Sequence, residues 1–585
     1  MGPSSSRSVA VPMCVAAKVV ADPLRSLSMT YQRNPVKAPR VAGMALKAFV
    51  NTLESGVGSV VLEKLVRDSG IDQWRELSAG DAPPVQFTLP HGAPGAEPQS
   101  PQEQAARAVA ASPARPERET VAAFARAYRE GSADPVKVVQ RIHEAIGRLD
   151  SGKDRLGLFV ARKPDEVLRA AEAAAERLRA GQPLGVLDGV PVVLKDEVDL
   201  AGFPTTLGTK FRNQVAPADS TVAARLKAAG AVILGKANMN EIGINPIGLN
   251  PHHGAARNPW NRGHITGGSS SASGAVVAAG LCPLSIGADG GGSIRIPAAL
   301  CGIVGLKATW GRIPETGVPP LCWNVAHVGP MGLTVDDVAA MYALLAGPDG
   351  HDVISQLQPP HHLSGYENAN LAGVRLGICW PYFEDADPDV VARCKEAVRA
   401  LTNAGATVVE IPPPDLNTLL WTHSCIILSE MTEAMLPHLK SRSSDFGLDS
   451  RTNLAIGRHF RATDFVHALR HRHRLTRELL ALMKDVDVLV TPTTATTAPV
   501  IPEATLPDGE SNLPVVDALM RFVRLANLTG CPSLSVPAGF DKAGLPVGVQ
   551  LTGRPYEEHL LLRLGRVVER AAEQRTPPLH VTVLK

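Results

Sequence analysis

The chain has 585 residues, 44% hydrophobic and 20% charged, with a formal net charge of +2, the balance of a soluble globular protein with a large core. So small a charge gives no overall field to attract nucleic acid, and no nucleic-acid partner is expected. The eight cysteines are scattered without a C-x-x-C pair, and no H-E-x-x-H or Cys/His cluster has ligand spacing, so buried reduced thiols, no metal and no cofactor are expected.

Met1 to Val50 carries seven Lys or Arg (7, 18, 25, 33, 37, 40 and 47) against one acid, Asp22. Residues 1–43 read as a basic leader, either flexible, a targeting segment or an arm for a membrane surface. Residues 44–118 follow as an amphipathic helix and a linker. Leu46, Phe49, Val50, Leu53, Val57, Val60, Val61 and Leu65 recur at three- and four-residue spacing, which predicts one helix to about Val66. Its bland role is to pack on the main body; the basic leader beside it raises contact with a membrane surface. Ala79 to Pro116, rich in Pro, Gly, Ala and Gln, reads as a linker or surface-wrapped segment.

Residues 119–585 read as one α/β catalytic domain. Val121 to Glu130 is helical, and Asp134-Pro135 opens a second helix, the Asp as cap and the Pro in the first turn. Lys163 to Arg179 is a third. Val190 to Leu194 is a continuous apolar strand, buried on both faces, that ends in Lys195. Ser220 to Ala229 is a helix closed by Gly230, and Ala231 to Gly235 is the next strand. Strand, helix, strand marks a parallel sheet with helical crossovers. Beyond Arg312, Pro314 to Val328 is loop-like and borders the site, and Thr334 to Leu345 is helical. Strands at Gly373 to Cys379 and Thr407 to Ile411 flank a helix at Pro388 to Ala404. Thr418 to Leu480 is largely helical and basic, with His471 and His473 on a solvated face. Val486 to Val490 is a strand, and Phe522 to Gly553 reads as helix, strand, Asp-x-x-Gly turn and strand.

Gly267 to Arg312 (GGSSSASGAVVAAGLCPLSIGADGGGSIRIPAALCGIVGLKATWGR) holds the chemistry. Small apolar residues from Ala272 to Leu281 suit a closely packed helix, and Leu284 to Gly287 a buried strand feeding Asp289-Gly290-Gly291-Gly292-Ser293. Successive glycines let backbone N–H groups converge on one point beside a serine, which is what acyl transfer needs. G-G-S-I-R is not the G-K-[ST] of a phosphate loop, the glycine spacing is not a dinucleotide fingerprint, and no G-x-S-x-G supports a Ser-His-Asp hydrolase.

With its serines 24 positions apart, Ser269 and Ser293, this stretch resembles the amidase signature of serine hydrolases that act on amides. Residues 189–196 match that family's G-[VI]-P-[VI]-x-[VI]-K-D pattern with Leu194 in place of the last Val or Ile. The resemblance implies an amidase-signature fold, a large mixed central sheet covered by helices on both faces, with an N-terminal helical extension. It places a triad on Lys195, Ser269 (in a cis peptide) and Ser293, with Ser293 as nucleophile. An amine buried among apolar strands loses solvation and becomes a competent base near neutral pH. The N–H groups of Gly290, Gly291, Gly292 and Ser293 would form the oxyanion hole. Relatives often carry Thr or Ile at position 290, and an added glycine there would loosen the loop. Backbone at Gly243 and Ile244 would line the scissile end, while Ser270, Asp289 and Arg295 would support the loop, Ser271 and Ser273 being structural.

Segments such as VLDGVPVVLKDEVD, LGKANMNEIG and DVDVLVTPTTATTAPVIP are most similar to the plant-type fatty acid amide hydrolases. That likeness implies hydrolysis of N-acylethanolamine-like lipid amides, a homodimer, and a cytoplasmic or peripheral membrane location with contact through the N-terminal helices. The alternatives are the glutamine-hydrolysing component of a tRNA-dependent amidotransferase, an amidase for small or aryl amides, and a non-enzymatic scaffold, which the intact triad positions disfavour.

Overall fold

The computed structural model describes residues 40–80, 100–113, 118–152, 154–502 and 508–585, with Tyr31, Arg33, Ala82, Thr505 and Leu506. Most of the basic leader and much of the expected linker lie outside the described residues. Among those described, no helix is long and apolar enough to cross a membrane.

An eleven-stranded mixed sheet runs through the molecule. From edge to edge its strands are Thr407–Glu410, Arg375–Ile378, Val488–Pro492, Pro546–Gly553, Ser533–Phe540, Val304–Lys307, Val328–Gly332, Leu284–Ala288, Pro191–Lys195, Val232–Ala237 and Phe159–Ala161. Leu284–Ala288, Pro191–Lys195 and Val232–Ala237 are mutually parallel, joined by the helical crossovers expected of such runs. The central strands pair antiparallel. Helices cover both faces. Along Ser533–Phe540, Leu534 and Val536 meet Gly565 of helix Glu558–Ala571, while Ser535 points the other way, towards Gly548 and Ala299 of helix Arg295–Cys301. Each such buried Leu or Val contributes roughly 1.5–3 kcal/mol by leaving water.

Three expectations need correcting. The helix expected from Met44 to Val66 is broken into Gly43–Leu53 and Gly58–Asp68, followed by Ile71–Glu76. Ser55-Gly56-Val57-Gly58 is poor helix sequence, and Glu54 is drawn off to Arg451, whose Nε donates to it at 2.8 Å. A helix, Pro101–Ala111, stands inside the expected linker. Its Ser100–Glu103 capping box and N-terminal Pro start it, and Ala105 and Ala108 bury its small-residue face. The solvated face expected at His471 is in fact buried: its Nε2 lies 3.0 Å from His467 Nε2, and its ring is 6.0 Å from that of Trp74. The seven described cysteines are free and buried.

Candidate active site

The site lies where parallel strands end side by side. Pro191–Lys195 carries Lys195 out of an apolar run at the same edge at which Leu284–Ala288 runs into Asp289. Lys195 is 1% exposed, and its Nζ donates to Ser269 Oγ at 2.9 Å and to the Ala288 carbonyl at 3.2 Å. Glu197, two residues on and not singled out from the sequence, brings a carboxylate oxygen within 2.6 Å of that nitrogen. Such an arrangement holds the amine in one place against one hydroxyl.

Ser269 sits just before the wholly buried helix Ser271–Ala278, and the Gly268–Ser269 peptide bond is cis. Its carbonyl accepts from Asn240 N at 3.2 Å and from Ser271 Oγ at 3.3 Å. Ser270 ties three segments together: Oγ donates to the Ala288 carbonyl and accepts from Ala288 N, both at 3.2 Å, and its N–H donates to the Ser293 carbonyl at 3.3 Å. Ser273 Oγ donates to the Ile286 carbonyl at 3.0 Å, pinning the helix to the strand.

The glycine turn is shaped from beneath by Asp289, which is fully buried. Its carboxylate accepts from Gly292 N at 2.6 Å, Ile294 N at 3.1 Å, Arg295 Nε at 3.0 Å and Asn527 Nδ2 at 2.8 Å. Burial alone would raise this carboxyl, but the Arg295 guanidinium and the hydrogen bonds hold it well below the usual range. Arg295 also donates to Gln550 Oε1 and the Val523 carbonyl, so the pair is fully hydrogen-bonded. Behind it, burial followed by the Arg295 charge pushes the Lys307 ammonium down to about 7, and its Nζ lies 3.1 Å from His327 Nε2.

This geometry alters one expectation. The Gly292 N–H is committed to Asp289, whereas the N–H groups of Gly290, Gly291 and Ser293 meet no acceptor among the described residues. Gly292 has φ 109°, and a Cβ on it would come within 2.5 Å of Val523 Cγ2, so the turn requires glycine there.

Lys195, Ser269, Gly290, Gly291, Ser293, Gly243 and Ile244 line one cavity of about 40 Å³ with Leu321, Cys322, Ile427, Met431 and Met520. Ser293 is 9% exposed. Gly243 follows Ile242, a branched residue held at φ 46°, and a Cβ on Gly243 would lie 3.4 Å from Ser269 Oγ. The structure therefore brings Lys195, Ser269, Ser293, Gly290, Gly291, Gly243 and Ile244 to one cavity, with Gly292 in the turn and Ser270, Asp289 and Arg295 bracing it from beneath. Glu197, Asn240, Cys322, His423 and Asn527 were not singled out; only Glu197 carried a local signal, two places after the lysine. Among the described residues no group of His, Cys, Asp and Glu could hold a metal ion.

A family model described as Amidase matches residues 140–562. A fatty acid amide hydrolase of Arabidopsis thaliana is 37% identical over 584 residues, covering 94% of this chain and 96% of its own. A glutamyl-tRNA(Gln) amidotransferase component of Chloroflexus aggregans is 34% identical over 76% of this chain and 95% of its own. Among solved structures, the native peptide amidase of Stenotrophomonas maltophilia superimposes with a TM-score of 0.69 at 27% identity, covering 79% of this chain and 99% of that one.

Proposed function

The chain belongs to the amidase family of amide-hydrolysing enzymes, and from that premise we propose that it is a serine amidase cleaving long-chain, N-acylethanolamine-like amides to a fatty acid and an amine. The observation that carries the reading is the 2.9 Å contact from Lys195 Nζ to Ser269 Oγ in the cavity that Ser293 also lines. In this reading the Lys195 amine takes a proton from Ser269 as Ser269 takes one from Ser293. Ser293 Oγ then bonds to the amide carbon. The resulting oxyanion is met by the N–H groups of Gly290, Gly291 and Ser293, one such donor being worth roughly 3 kcal/mol. The proton returns through Ser269 to the departing nitrogen as the C–N bond breaks, and water repeats the path to release the acid.

The lipid character of the substrate is supported by the 37% identity to the Arabidopsis fatty acid amide hydrolase across nearly the whole chain, and by the apolar wall of Leu321, Ile427, Met431 and Met520. At about 40 Å³ the cavity is far below the roughly 300–1,000 Å³ that encloses a drug-sized ligand, so an acyl chain needs this wall to open. Two unbranched methionines suit a wall that must repack. Two further parts of the reading are a homodimer and contact of the N-terminal helices with a membrane surface.

The test is a panel of N-acyl amides of graded chain length, plus glutamine, assayed beside Ser293→Ala. Turnover that rises with acyl length and disappears in the variant is the expected result. Glutamine turnover alone, or activity surviving in Ser293→Ala, would overturn the reading.

A further inference from the structure

We propose that His423 is a positioning residue of the oxyanion loop, fixing the Gly290–Gly291 peptide plane so that the Gly291 N–H stays aimed away from it, into the reaction cavity. The inference rests on the reading of Ser293 as nucleophile. His423 lies on helix Leu416–Arg442, is 1% exposed, and places Nε2 2.8 Å from the Gly290 carbonyl oxygen. A carbonyl oxygen only accepts, so Nε2 carries the proton and donates. Burial pushes the imidazole down to about 4, so this neutral tautomer persists at ordinary pH.

A trans peptide points its C=O and its following N–H in opposite directions. Holding the Gly290 carbonyl on the His423 side therefore sends the Gly291 N–H to the other side. His423 does not line the cavity, whereas Gly290, Gly291 and Ser293 do, so the histidine stands behind the loop and the free N–H in front of it. Three consecutive glycines could otherwise hold this peptide in several orientations, and the brace removes that freedom. The fit is close: a Cβ on Gly291 would come within 2.9 Å of the His423 ring. The brace is itself anchored, because Trp74 Nε1 donates to Thr422 Oγ1 at 3.4 Å on the preceding residue of the same helix.

The test compares His423→Gln, His423→Asn, His423→Ala and Ser293→Ala by kcat and KM on a medium-chain N-acyl amide. It also compares inhibition by an acyl trifluoromethyl ketone, which forms the tetrahedral oxyanion, with inhibition by the matching secondary alcohol, which does not. A Gln amide nitrogen reaches the position of Nε2 and an Asn amide does not. The expected result is that Gln keeps kcat within about 3-fold, while Asn and Ala lose about 10-fold or more with KM little changed. Ketone affinity should fall in step with kcat and alcohol affinity should hold. Equal kcat in the Gln and Asn variants, or equal loss of affinity for both inhibitors, would overturn the role of His423. Activity retained in Ser293→Ala would instead overturn the underlying reading.

Discussion

Lys195 Nζ lies 2.9 Å from Ser269 Oγ although 74 residues separate the two in the chain. Lys195→Met keeps the apolar stem and removes the amine. Its kcat should fall about 10²–10⁴-fold with little change in KM, because only proton transfer is lost. The variant also leaves the buried Glu197 carboxylate, 2.6 Å from Nζ in the wild type, without its partner, so the thermal midpoint should fall as well. Steady-state kinetics beside differential scanning fluorimetry checks both; wild-type kcat in the variant would remove Lys195 from the proton path.

Gly290 is close-packed rather than loose. A Cβ there would come within 2.7 Å of Cys322 Sγ, so the sulfur fills the space that a larger residue at 290 would occupy. Gly290→Ala should therefore cost about 1–3 kcal/mol by overpacking and reduce kcat/KM. Adding Cys322→Ala should recover most of both losses. Urea midpoints and kinetics of the two single variants and the double variant close the cycle; additive losses would mean that the two positions do not share this space.

The same pair of residues shows what the sequence carries and what it does not. The glycine turn beside a serine left a local pattern, whereas Lys195, Ser269 and Ser293 were assigned together through the resemblance to the amidase signature, a strand-end lysine alone reading as a surface residue. The parallel strands were legible as apolar runs ending in polar residues. Cys322 and His423 were not. They reach the loop from 32 and 133 residues downstream, and nothing in their own surroundings announces the contact. Strand Val328–Gly332 was hidden because V-G-P-M-G has a single branched residue, Val328, among two glycines and a proline that argue against a strand. Helix Pro101–Ala111 was hidden because its buried face is alanine, although Ser100, Pro101 and Glu103 spelled its start.

The N-terminal helices leave Met44 88%, Val57 60% and Val60 67% exposed, beside Lys47 and Lys64. Apolar side chains with flanking lysines suit a surface carrying anionic lipid. Met44→Glu with Val60→Glu should weaken binding to phosphatidylcholine vesicles containing phosphatidylserine by about 10-fold or more, since burying each side chain is worth roughly 1.5–3 kcal/mol. Turnover of a short, soluble amide should not change. Vesicle flotation measures the first and a solution assay the second. Equal flotation of wild type and variant would assign this surface to protein contact instead.

Three buried imidazoles give stability a defined pH response. Burial pushes His361, His423 and His471 each from 6.5 down to about 4. The unfolded chain then binds more protons than the folded one between those values. The contribution of each is thus complete above about pH 6.5, is lost as pH falls towards 4, and changes no further below. Half-buried Glu315 and buried Asp337 run the opposite way, pushed up by loss of solvation to about 8 and about 7, so they favour the folded state as pH falls. The thermal midpoint of the wild type mixes both signs, and a difference between variants separates them. In His361→Gln the amide can still donate to the Ala343 carbonyl, which His361 Nε2 meets at 2.9 Å, but it does not titrate. The midpoint of that variant should therefore drop less than that of the wild type between pH 7.5 and 5.0 at constant ionic strength. A parallel drop in the two proteins would mean that His361 is protonated in the fold as readily as in the unfolded chain.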